Sequence, residues 1–182
     1  MALFSSPATS STVVREVSDE KFQKIYSPVD GAAQLLNDGR TFETIKRITY
    51  MCALGKNSYS TGIYRIRMKL HYGNAFIGVR SRHLQVEPSM ASLYQETPST
   101  YGWFTNGART VDGHADNSAI RVPKKEDTMI ELTLYCDEHR LTIVFSGDNS
   151  QRDEMKVDGL SAPFPWCLFV QLSRIGACIS IV

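Results

Sequence analysis

The clearest order in this chain is a two-residue alternation of apolar and polar positions. Over 62–71, Tyr64, Ile66, Met68 and Leu70 fall on one side and Arg65, Arg67, Lys69 and His71 on the other, the pattern of a strand with one buried face. Over 127–145, Ile130, Leu132, Leu134 and Cys136 alternate with Glu131, Thr133 and Tyr135. Four polar residues, Asp137 to Arg140, interrupt the run before Leu141, Ile143 and Phe145 resume it. This predicts two antiparallel strands joined by a tight turn. Such a hairpin is marginal by itself in water, so other segments must complete its sheet.

Structure is expected to begin near 22–26, and further strands are predicted over 44–52, 76–81, 101–104, 168–172 and 178–182, with a short edge strand at 155–160. Segments 33–36 and 40–43 flank Asn37-Asp38-Gly39 as a small hairpin, with Gly39 supplying the positive φ that its loop needs. Gly78 inside a strand marks either a bulge or a close backbone approach. The 82–100 stretch has no period, and a loop that long in a compact domain is usually functional or disordered. Residues 1–19 are small and polar and read as a disordered tail, leaving 20–182 as a single domain. No stretch of ten residues carries a helical period. The chain reads as all-β, a two-layer antiparallel sandwich.

Composition narrows the chemistry. Twenty basic residues against nineteen acidic leave a formal charge of +1, too little to steer the protein to nucleic acid or a charged membrane. The face made by Arg65, Arg67 and Lys69 could meet a polyanion, but a solvated outer sheet face is the favoured reading. Cys52, Cys136, Cys167 and Cys178 form no C-x-x-C pair and read as reduced core thiols. No secretory leader pattern and no apolar run of membrane-spanning length is present, so a cytoplasmic location is the expectation. His71, His83, His114 and His139 lack metal-ligand spacing, and Asp137-Glu138 in a tight turn reads as solvated. Neither an enzyme nor a cofactor or metal protein is indicated.

The order of short motifs resembles a SPRY domain. Tyr101-Gly102-Trp103, Gly107, the run from Asp127 through Cys136-Asp137, then Leu141-x-Ile143-x-Phe145 and Pro163-Phe164-Pro165-Trp166 follow one another as in that family. Tyr59-Ser60-Thr61-Gly62 and Phe76-Ile77-Gly78-Val79 are similar to earlier motifs of it. The likeness covers roughly 40–182, with 20–43 as the PRY-like hairpin often found in front. Glu126, Glu131 and Ser146-Gly147 depart from the pattern at the rim of the central hairpin. The resemblance implies a bent, concanavalin-like jelly-roll sandwich and a non-catalytic role, holding a protein or peptide ligand in loops at one edge. In relatives such domains often deliver substrates to a ubiquitin ligase or serve as scaffolds. No RING or B-box metal pattern occurs, so ligase components would have to be supplied by other chains.

Because Trp, Tyr and Arg dominate protein-binding hot spots, the candidate ligand contacts are Arg80, Arg82, Tyr94, Tyr101, Trp103, Phe104, Asn106 and Arg109. They lie in or beside the 82–110 stretch, with 146–153 as a second contributor. Tyr101 and Trp103 suit a core position as well as a surface one, whereas Phe104, Asn106 and Arg109 have less structural excuse. A glycan-binding, lectin-like sandwich using Trp103 and Asn106 is the alternative.

Overall fold

The structure, a computed structural model, describes residues 13–46, 50–86, 94–116, 127–147 and 150–182. Its strands are β1 (Val14–Glu16), β2 (Phe22–Tyr26), β3 (Ala33–Leu36), β4 (Thr41–Thr44), β5 (Met51–Gly55), β6 (Ile63–Tyr72), β7 (Ala75–Ser81) and β8 (Tyr101–Phe104). They continue with β9 (Arg109–Val111), β10 (His114–Asp116), β11 (Thr128–Tyr135), β12 (Arg140–Ser146), β13 (Gln151–Lys156), β14 (Trp166–Leu172) and β15 (Cys178–Ile181). Two single 3-10 turns, Tyr94–Glu96 and Cys136–Glu138, are the helical elements among the described residues.

The strands form two sheets. One runs β13-β12-β11-β6-β15-β4-β3, with β1 added to β6; the other runs β10-β9-β8-β7-β14-β5-β2. All ladders are antiparallel except β1 on β6. The central hairpin forms as predicted, but its turn is Cys136 to His139, one residue earlier than the polar run Asp137 to Arg140: Tyr135 pairs with Arg140, Leu134 lies opposite Leu141 and Leu132 opposite Ile143, and the turn closes through His139 at φ 48. Between the sheets, Ile66, Met68, Leu132, Ile143, Ile77, Trp103, Trp166, Leu168 and Val170 form the main core, each 0% exposed. Trp166 is the anchor of its Pro-rich segment, donating its ring N–H to Ala162 O at 2.8 Å.

Three expectations are corrected. Residues 13–19 are not a disordered tail: β1 pairs in parallel with the first residues of β6, Glu16 meets Arg65 at 3.0 Å, and Val17 is 9% exposed. The open edge of β6 supplies the partners that so polar a segment could not find by itself; residues 1–12 of the predicted tail lie outside the described residues. The strand expected over 44–52 is two ends of strands in different sheets, β4 and β5, which is why its alternation is imperfect; residues 47–49 lie outside the described residues. The edge strand expected at 155–160 lies earlier, as β13. Residues 158–162 instead make a turn in which Asp158 accepts the Leu160 amide at 3.0 Å.

Candidate functional site

The outer face of the seven-stranded sheet is built unlike a solvated sheet. Along β5, β7 and β14 the residues pointing away from the main core are Cys52, Leu54, Phe76, Cys167 and Phe169, and they form a second apolar cluster with Val86 and Tyr94. Phe104, Phe76 and Phe169 step across three neighbouring strands with ring centroids 5.1 and 5.8 Å apart, in the edge-to-face geometry that aromatic quadrupoles favour. Beside this ladder Gly78 and Gly102 are paired in register. A Cβ on Gly78 would stand 1.9 Å from Tyr101 O, and one on Gly102 2.3 Å from Ile77 O. The glycine is therefore required for close approach of β7 and β8, not for a bulge.

The described ends of the 82–100 stretch lie over this cluster and are fastened by Arg80. Its side chain is 1% exposed; it donates to Thr97 Oγ1 at 3.3 Å, to Leu84 O at 3.4 Å and to Gln85 O at 3.1 Å. The guanidinium also stands 5.9 Å from the Phe169 ring centroid. Burial lowers its pKa below the usual arginine value, and arginine keeps its charge in such places where lysine would lose it. Gln95 N–H donates to Gln171 Oε1 at 3.2 Å. Burial raises the Tyr94 phenol to about 12. Residues 87–93 lie outside the described residues.

The candidate residues do not form one surface. Phe104, Asn106 and Arg109 share the turn between β8 and β9: Phe104 is half-buried, Asn106 is exposed, and Gly107 at φ 97 closes the turn. Arg109 spans the sandwich edge, pairing with Asp116 at 2.6 Å and Asp153 at 3.5 Å. Trp103, 0% exposed, donates its indole N–H to the same Asp153 oxygen at 2.8 Å. Asp153 on β13 thus ties one sheet's edge to the other. Tyr101 is interior, its hydroxyl 2.6 Å from Ser161 Oγ. Arg80 and Tyr94 lie inside the outer-face cluster, so with Tyr101 and Trp103 they shape the surface from within and present no side chain to a ligand. Arg82 lies at the other end of β7, about 20 Å from Phe104 by strand rise, and donates to Gly55 O at 2.7 Å.

Sequence reasoning passed over Tyr26 and Tyr50, half-buried against the outer-face cluster, because neither sits beside a long loop. The signal available was the aromatic end of the Phe22-Gln-Lys-Ile-Tyr26 strand. Among the described residues, no group of three or more His, Cys, Asp or Glu is placed to hold a metal ion, and no helix is long and apolar enough to cross a membrane.

No protein-family model matches the sequence, and no curated protein matches it. The structure is similar to solved SPRY structures. To the TRIM65 PSpry domain the TM-score is 0.68 at 11% identity, covering 93% of this chain and 91% of that one. To the SPRY domain of human HERC1 it is 0.63 at 13% identity, covering 82% and 93%. To stonustoxin it is 0.67 at 7% identity, covering 92% of this chain but 27% of that one. At such identities the likeness is one of fold: a two-sheet SPRY-type sandwich over most of the chain.

Proposed function

We propose that this chain is a non-catalytic protein-interaction module that binds a protein or peptide through the β8–β9 turn and the described ends of the 82–100 stretch, which lie above the seven-stranded sheet. SPRY folds commonly serve as such modules. The observation that carries the reading is the second apolar cluster: an antiparallel sandwich ordinarily turns a polar face outward, whereas here Phe76 and Phe169 are 0% exposed on the outer side, with Phe104 half-exposed at the rim. Rim aromatics beside an exposed Asn106 match the composition of protein-binding patches. A role in carrying clients to a ubiquitin ligase or scaffold rests on the family resemblance alone. The glycan reading loses its aromatic platform, since Trp103 is interior.

Affinity capture from a cell lysate with wild type, Phe104→Ala and Asn106→Ala tests the assignment, after melting curves establish that the variants fold. Arg109→Ala is a poor probe, because Arg109 holds the sheet edges together through Asp116 and Asp153. The expected result is a protein retained by wild type and lost from both variants. Identical retention by all three chains would remove the β8–β9 turn from the binding surface.

A further inference from the structure

The groove on the far side of the outer-face cluster has a chemistry of its own. It opens beside β2, an edge strand of the seven-stranded sheet, has a volume of about 360 Å³, and is lined by Gln23, Lys24, Tyr26, Leu54, Gly55 and Arg82. Two of the six are cations and none is an acid. Lys24 is exposed, its ammonium 4.7 Å from the Tyr26 ring centroid, which holds a positive charge above the groove. Arg82 spends one nitrogen on Gly55 O and Asn57 O, while its Nε is buried with no partner among the described residues. Tyr26 and Leu54 belong to the outer-face cluster and give the groove an apolar wall.

An acid lies behind the groove but does not line it. Glu20 lies behind Gly55, where a Cβ would stand 2.9 Å from its Oε1. It is 0% exposed, and its oxygens already accept from Lys21 N–H, Asn57 N–H and the Tyr59 hydroxyl. Exposed Lys56 and His83 lie next in sequence to groove-side segments and add no negative charge. A locally cationic, half-apolar groove in a chain of net charge +1 therefore has a defined complement: a carboxylate side chain with an apolar or aromatic neighbour.

We infer that this groove binds an acidic linear segment of a partner protein, with an Asp or Glu side chain between Lys24 and Arg82 and an adjacent apolar residue against Tyr26 and Leu54. This rests on the reading of the chain as an interaction module and places an acidic contact about a strand's length from Phe104.

The probe is a displayed library of random linear peptides selected on the full chain. Enriched peptides should share an Asp or Glu beside an apolar residue, bind Lys24→Glu about tenfold more weakly, and bind Asn106→Ala as they bind wild type. Their affinity should also fall as salt is raised to about 0.5 M, and replacing the shared acid by Lys should restore binding to Lys24→Glu. Arg82→Gln is the second variant, and each variant is used once it melts with wild type; Lys24 is exposed, with its ammonium over the Tyr26 ring. Peptides without a shared acid, or peptides lost from Asn106→Ala and kept by Lys24→Glu, would overturn the inference while leaving the module reading in place. A selection that enriches nothing overturns it too, and the lysate capture with Phe104→Ala then decides the module reading separately.

Discussion

On the outer face of the eight-stranded sheet, Arg65 and Arg67 share Glu131 and Glu16, and Lys69 and His71 share Asp127. On the outer face of the seven-stranded sheet, Cys52, Leu54, Phe76 and Phe169 pack beneath Val86 and Tyr94. The first face solves the problem of a sheet surface with water and paired charge; the second solves it with a second small core. A face of paired charge needs no partner and offers little to one, because its ions are mutually satisfied. A face covered by Val86 and Tyr94 has a rim, and rims hold half-buried aromatics such as Phe104, Tyr26 and Tyr50. The proposed binding surface and the covered face therefore fall on the same sheet.

The comparison breaks most readily at the glycine floor. Gly78→Ala should destabilise the protein by about 3 kcal/mol or more, since the added methyl meets backbone on the neighbouring strand and neither strand can yield alone; thermal or urea unfolding checks it. Unfolding at the wild-type midpoint would mean that β7 and β8 are not held so closely.

Arg80→Met keeps the side-chain stem and removes three hydrogen bonds, costing about 1–3 kcal/mol. Amide exchange should quicken at 84–86 and 94–97 while β11 and β12 keep their protection, since the guanidinium fastens that stretch and nothing on the other sheet. Uniform loosening would contradict a local clamp.

The charged face should respond far less. Arg67→Ala should cost about 0.5 kcal/mol or less and lose even that at high salt, as exposed pairs do. A double-mutant cycle with Glu131→Ala measures it, and a large coupling would show that this face carries stability after all.

The smallest effect is a titration. The Lys69 ammonium, ahead of His71, holds the Asp127 carboxyl below the ordinary range. Its contribution is complete above the ordinary carboxylate value of about 4 and is lost as pH falls through the lowered value. An NMR titration of Asp127 should show that lowered midpoint, and Lys69→Ala should return it towards normal.

Legibility followed burial. β6, β11 and β12 have one wet face, so Tyr64 to Leu70 and Ile130 to Phe145 alternate in sequence as they do in space. In β7 and β14 every residue is buried, and the strands could be placed but their two faces could not be told apart. That is also why Trp103 and Tyr101 could be read as surface: Gly102 between them lies on the covered face, and no polar residue marks which side is out. Arg80 and Arg109 looked like hot-spot residues because an arginine fastening a loop or a sheet edge is spelled like one offered to a partner.

Sequence by itself determined the all-β class, the central hairpin and the order of motifs, because alternation and turn chemistry act over a few residues. Only the tertiary structure decided that β1 completes β6, that Asp153 joins Trp103 and Arg109 across the sandwich edge, and that Arg82 stands with Lys24 and Tyr26 rather than with Phe104. Each of these depends on which strands become neighbours. Strand order is set by the packing of two sheets on one core, a property no local stretch of chain contains.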